Sequence, residues 1–148
     1  MIQLAVSDRE ILECYGVMKE LRPHLEKDKF VPTVKAMQKE GFQLASMQDG
    51  EGGVVAVVGF RVYTNLFLGK NLYVDDLVTA AQARSMGYGE AIMRWLKDKA
   101  MKMDCKCIHL DSGTQRDQAH KFYFKQGLTI ASYHFVGELR DDNFSGIE

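Results

Sequence analysis

Residues 72–96 read LYVDDLVTAAQARSMGYGEAIMRWL. The first third is strand-like: Tyr73, Val74, Leu77, Val78 and Thr79 suit a pleated surface, and Asp75 and Asp76 interrupt them. A turn follows in which Gly87 and Gly89 flank Tyr88, with Arg84 three residues ahead of the first glycine. The next run is helical. Ala91, Ile92, Trp95, Leu96, Ala100 and Met103 make one apolar stripe, while Glu90, Arg94, Lys97, Asp98 and Lys102 lie on the wet side. A strand that feeds a helix needs the next strand to return parallel to it, and Cys107 to Asp111 reads as that strand.

Upstream, Ile2 to Val6 reads as a short strand. Ser7 with Glu10 makes a capping-box pattern, and Ile11, Leu12, Tyr15, Met18 and Leu21 continue at helical spacing until Pro23. Pro32 suits the first turn of a short second helix carrying Val34 and Met37, which Gly41 closes. Phe42 to Met47, Val54 to Tyr63 and Asn71 to Thr79 read as an antiparallel meander, with DGEGG at Asp49–Gly53 as a hairpin turn. Downstream, Thr114 with Asp117 predicts a cap for a helix whose inner face is Ala119, Phe122 and Tyr123, and Gly127 ends it. Leu128 to Leu139 predicts a final strand or strand pair. The fold class is therefore α/β, with a mixed, mostly antiparallel central sheet and helices on both faces.

The length of 148 residues predicts one domain over 1–148, large enough for its own core. The net charge of −1, with both signs interspersed, argues against a nucleic-acid partner, which needs a basic face. No stretch has the apolar length to span a bilayer, and MIQLAVSDRE lacks the pattern of a signal peptide, so no membrane partner and a cytoplasmic location are expected. Cys14, Cys105 and Cys107 read as reduced thiols. Cys105, Cys107 and His109 alternate along one strand but lack the ligand number and spacing of a metal site, so no metal is expected.

A glycine turn before a helix is a ready anion site, because the first-turn amides are unpaired and the helix dipole favours negative charge. Arg84 can add a bidentate phosphate contact. The phosphate-loop pattern is excluded, since no Gly-Lys-Ser/Thr follows. The dinucleotide pattern also fits poorly: Ile92 stands where a third small residue belongs, and the preceding strand carries two acids.

Arg84-x-x-Gly87-x-Gly89 resembles the Gln/Arg-x-x-Gly-x-Gly/Ala signature of the GNAT acetyltransferase superfamily. AHKFYFKQG repeats that superfamily's A-x-x-x-Y-x-x-x-G pattern at Ala119, Tyr123 and Gly127, and the element order agrees along nearly the whole chain. The resemblance implies an N-acetyltransferase that passes an acetyl group from acetyl-CoA to a primary amine of a small molecule or an exposed amino group, by direct attack in a ternary complex. It also implies a bulged strand that splays from its neighbour to open a V-shaped cleft. Arg84, Ser85, Met86, Gly87, Tyr88 and Gly89 would surround the CoA diphosphate, and Leu77, Val78 and Thr79 would offer backbone groups to the pantetheine arm. Superfamily members commonly pair through their C-terminal strands, which makes a homodimer an expectation by analogy.

The chemistry sets further requirements. An alkylammonium, with a pKa of about 10.4, must lose a proton before it attacks a thioester. A carboxylate can take that proton, and Asp75 is the candidate, with Asp76 second. In an unbroken strand Asp75 shares a face with Tyr73, Leu77 and Thr79, and Asp76 points away. Tyr123 is the candidate acid for the departing thiolate. Arg116 stands where many members carry an asparagine that contacts the pantetheine arm; arginine cannot accept a hydrogen bond, so it either loses that contact or reaches a phosphate. His24, Glu26 and Asp28 lie in a connection that often borders the acceptor site in the superfamily. The alternative function is a non-catalytic module that senses acyl-CoA.

Overall fold

The computed structural model describes residues 1–140 and 143–145, with the side chains of residues 1–139. The chain forms two compact units, Met1–Leu110 and a second that starts at Asp111. The first unit holds β1 (Ile2–Leu4), α1 (Asp8–Glu13), α2 (Tyr15–Leu21), α3 (Lys27–Gln38), β2 (Phe42–Gln48), β3 (Val54–Asn65), β4 (Gly69–Thr79), a 3-10 turn (Ala81–Ala83), α4 (Tyr88–Lys102) and β5 (Cys107–Leu110). The second holds α5 (Asp117–Lys125) and the hairpin of β6 (Glu138–Arg140) and β7 (Asn143–Ser145).

The five strands of the first unit lie in chain order, β1-β2-β3-β4-β5. All neighbours are antiparallel except β4 and β5, which the α4 crossover makes parallel. The mixed sheet expected from the sequence is present. Helices cover both faces of it. Phe42, Leu44, Val55, Val57 and Val78 pack with Ile11, Met18, Phe30 and Val34 of α1, α2 and α3. On the opposite face the ring of Phe60 meets that of Trp95 edge-on, with centroids 5.7 Å apart, and Ile92, Met93 and Leu96 of α4 are fully buried.

Local signals explain most boundaries. Ser7 and Glu10 form the capping box. In the β2–β3 turn one carboxylate oxygen of Asp49 accepts from the amides of Glu51 and Gly53. Several expectations need correction. The first helix is two pieces meeting at Cys14, whose amide bonds back to Ile11 and Leu12, with helix-weakening Gly16 just beyond. Pro32 is inside α3 rather than in its first turn. It faces solvent, where water can satisfy the carbonyl that its missing N–H leaves open. Thr114 does not cap α5; Arg116 occupies the N-cap without a side-chain bond. Residues 128–137 have no regular structure, and a strand begins only at Glu138. The strand-favouring side chains there have no sheet partner, and Ile130, Tyr133 and Phe135 are exposed.

Candidate functional site

β4 has two unlike halves. Asn71 to Val74 pair with β3 on one side and β5 on the other. Beyond Val74 the β5 pairing stops, while pairing with β3 runs on to Thr79. The register shifts at this point: Phe60 faces Val74 and Gly59 faces Asp76, so Asp75 is the extra residue of a β-bulge. The amide of Ala80 donates to the carbonyl of Val55 at 2.8 Å. By alternation the backbone groups of Val78 also face β3, and those of Leu77 and Thr79 face the edge that β5 has left. Val78 puts its side chain in the core.

The bulge also changes the faces. Tyr73 lies opposite Arg61, and Asp76 lies opposite Gly59. Both therefore stand on the face that carries α1, α2 and α3, and Leu77 and Thr79 fall on the other. The parity of an unbroken strand is overturned, and both carboxylates come to one face. Asp75 receives two bonds from Arg61, Nε to Oδ1 at 3.0 Å and a terminal nitrogen to Oδ2 at 2.9 Å. Asp76 is held through one oxygen by Arg22, Nε to Oδ1 at 2.9 Å. A terminal nitrogen of Arg22 also donates to the Asp75 carbonyl at 3.1 Å. Burial pushes the Asp76 carboxyl above the ordinary range, Arg22 opposes that shift, and the nearby Asp75 charge adds to it. Glu20, at the end of α2, accepts from the amide of Ala81 at 2.8 Å. Thus the end of α2 grips both ends of the half-strand that the sheet holds on one side only.

Beside Asp76 opens a cavity of about 340 Å³ between α2, α3 and the sheet. Its buried walls include Met18, Phe30, Val34, Phe42 and Leu44. His24 and Glu26 stand at its exposed mouth. The connection that carries them is tied back to α2, because Tyr15 and Lys19 both donate to the carbonyl of Leu25 at 2.9 Å. Gly59 lets this region close up: a Cβ there would lie 2.5 Å from Phe42 Cζ and 2.9 Å from Asp76 Oδ2.

The glycine turn is exposed from Arg84 to Gly87. Arg84 is extended and makes no hydrogen bond or ion pair among the described residues. Ser85 at φ 66° and Gly87 at φ 83° are both left-handed, so the backbone coils tightly here. Met86 is exposed, and Tyr88 turns its ring onto the core. α4 has no side-chain cap; its first internal bond runs from Ala91 to Gly87, which leaves the amides of Tyr88, Gly89 and Glu90 without helical partners.

In the second unit Tyr123 lies on α5 with its ring edge-on to Phe122, centroids 5.5 Å apart. Burial raises its phenol above the ordinary value, and the charge of Arg116 opposes that. Ser112 Oγ is buried without a hydrogen-bond partner among the described residues. His134 Nδ1 lies 3.6 Å from Asp111 Oδ1. No group of three or more metal-binding side chains occurs among the described residues, and no helix there is long and apolar enough to cross a membrane.

Sequence reasoning missed Arg22, Arg61 and Gly59. Gly59 had a legible signal, a lone glycine inside a β-branched run, which marks a bulge or a close approach. The two arginines carry no such local mark.

Comparison with known proteins agrees with this fold. Residues 9–128 match the Acetyltransferase (GNAT) family. The chain is 36% identical over 131 residues to an uncharacterized N-acetyltransferase, YhdJ, of Bacillus subtilis (strain 168), covering 87% of this chain and 92% of that protein. It is 26% identical over 150 residues to the thialysine N-epsilon-acetyltransferase of Mus musculus, covering 85% and 88%. Among solved structures, a transcriptional regulator from Bacillus halodurans C-125 superposes with a TM-score of 0.81 at 19% identity, over 94% of this chain and 99% of that one. A ribosomal-protein-alanine N-acetyltransferase from Brucella melitensis biovar Abortus 2308 gives 0.79 at 17% identity, with the same coverage.

Proposed function

Since this chain belongs to the GNAT acetyltransferase family and is an acyltransferase, we propose that it moves an acetyl group from acetyl-CoA to a primary amine, by direct attack within a ternary complex. The observation that carries this reading is the half-free strand. Beyond the bulge, β4 keeps one sheet partner and turns the backbone groups of Leu77 and Thr79 to the vacated edge. An amide-bearing chain pairs with such an edge as an added strand would.

The residues present suit acetyl-CoA. Gly87, Tyr88 and Gly89 supply unpaired amides at a helix start, where the dipole favours a diphosphate. Arg84 adds a charge with no competing partner among the described residues. Ser85 and Met86 shape the turn, and Arg116 is the further phosphate candidate that the family resemblance implies. When bound, acetyl-CoA supplies the acyl group as a thioester.

The chain's own groups do the rest. Asp76 holds the acceptor's ammonium and draws off its proton, directly or through water. Its burial makes it a better base than an ordinary carboxylate. Asp75, with both oxygens on Arg61, holds the bulge in shape. Tyr123, kept protonated by burial, is the proton donor for the leaving sulfur.

The test is a melting series with acetyl-CoA, CoA, NAD and ATP, followed by thiol release across an amine panel. A ligand at one hundred times its Kd adds about 2.7 kcal/mol of stability. Stabilisation by acetyl-CoA and CoA with amine-dependent thiol release supports the enzyme. Stabilisation without release supports an acyl-CoA sensor instead. A response to NAD or ATP alone defeats both.

A further inference from the structure

The cavity beside Asp76 has apolar inner walls and one interior ion pair, that of Asp76 Oδ1 with Arg22, while His24, Glu26 and Lys29 stand at its mouth. Met18, Phe30, Val34, Phe42 and Leu44 line it, and each is almost fully buried. Asp76, only 15% exposed in its side chain, stands at the β4 side. The other carboxylate that lines it, Glu26, is at the mouth, 59% exposed and paired with Lys29 at 2.7 Å. Two groups are therefore treated differently here. An ammonium brought to Asp76 would have its substituent among apolar side chains. A second charge carried in among those apolar side chains would lose its water. A volume of about 340 Å³ is at the small end of ligand pockets.

Resting on the acyl-transfer reading, we propose that the acceptor is a primary monoamine with an apolar body, an alkyl or arylalkyl group of moderate size, seated between α2, α3 and β2 with its nitrogen at Asp76. Diamines and amino acids, which carry a second charge, are poor acceptors. Size is set by the walls: Thr33 and Met37 of α3 line the same space, and Thr33 is otherwise exposed, so its side chain can be enlarged without disturbing the core.

Two measurements on the full chain test this. Thiol release from acetyl-CoA is followed with ethylamine, butylamine, hexylamine, octylamine, phenethylamine, 1,6-diaminohexane and lysine. The same amines are titrated calorimetrically into the protein without acetyl-CoA. In both, the proposal expects affinity or kcat/KM to rise about three- to fourfold per added methylene until the cavity is full. It expects 1,6-diaminohexane to fall about tenfold or more below hexylamine. Thr33→Trp should move the optimum to shorter chains. If that variant does not fold, Met37→Ala should move the optimum to longer ones. A flat series, or preference for lysine or the diamine, overturns the proposal. Chain-length-dependent binding with no thiol release for any amine leaves the ligand class standing and overturns acyl transfer instead.

Discussion

Arg22, at the end of α2, holds Asp76 of β4 from 54 positions away, Nε to Oδ1 at 2.9 Å, and grips the Asp75 carbonyl with a second nitrogen. One side chain thus compensates a half-buried carboxylate and pins the bulge that carries it. Arg22→Met should destabilise the fold by about 1–2 kcal/mol, toward the low end because Arg22 is 43% exposed. The pH effect has a definite sign. A carboxyl raised in the folded state favours folding while it is protonated, and that stability is lost as the pH climbs through its folded value. Removing Arg22 raises Asp76 further, so the urea midpoint of the variant should fall more steeply with rising pH than that of the parent. The acid limb of kcat/KM should move to higher pH. Equal limbs in the two proteins would mean that Asp76 does not govern the profile.

Asp75 and Asp76 should separate by experiment. Asp75→Asn breaks a bidentate pair with Arg61 and should appear mainly as lost stability, about 1–3 kcal/mol. Asp76→Asn should instead raise KM for a cationic amine and flatten the acid limb. Should Asp75→Asn carry the kinetic effect and Asp76→Asn none, the roles are reversed.

Gly59→Ala places a methyl 2.5 Å from the Phe42 ring and 2.9 Å from Asp76 Oδ2. The expected cost is about 1–3 kcal/mol of stability. KM for the amine should rise while the affinity for CoA holds, because the methyl crowds the acceptor cavity and not the free edge of β4. Parallel losses for both ligands would show that the methyl disturbs β4 as a whole.

Gly87 has φ 83°, and nothing lies within 4 Å of the Cβ it lacks. Gly87→Ala therefore isolates backbone strain from crowding, at a cost of about 1 kcal/mol. The melting-temperature gain on adding CoA should shrink as well, since the substituted turn presents its amides less well. An unchanged CoA response would remove the turn from the diphosphate site.

Tyr123→Phe should lower kcat by about a hundredfold and leave acetyl-CoA binding nearly intact, as loss of a proton donor does. Because burial holds the Tyr123 phenol above its ordinary value, the parent should show no tyrosine limb through the neutral range. Equal turnover in parent and variant would take Tyr123 out of the reaction.

Features written into a few adjacent residues were readable without the fold. The capping box at Ser7 and Glu10, the left-handed glycines at Gly87 and Gly127, and the buried stripe of Ile92, Leu96 and Ala100 all stand where spacing put them. The crossover from β4 through α4 to a parallel β5 follows from the same short-range logic. Where the chain offered a pattern without a partner, reading failed. Residues 128–137 are rich in side chains that favour strands, yet no neighbouring strand pairs with them. Pro32 suits a helix start, yet α3 begins at Lys27, upstream of it.

By itself, then, the sequence determined the order of elements, the turn that begins α4 and the motif that marks the family, because each depends on residues within a turn or two of one another. Tertiary structure alone decided where the two aspartates stand and what holds each of them. One extra residue in β4, opposite Gly59, reversed the strand's parity and brought both carboxylates to a single face. Arg61 then took Asp75 from 14 positions away, and Arg22 took Asp76 from 54. No local spacing encodes such pairings, since they exist only once β3, β4 and the end of α2 have packed together, and the cavity at Asp76 is the space that packing leaves.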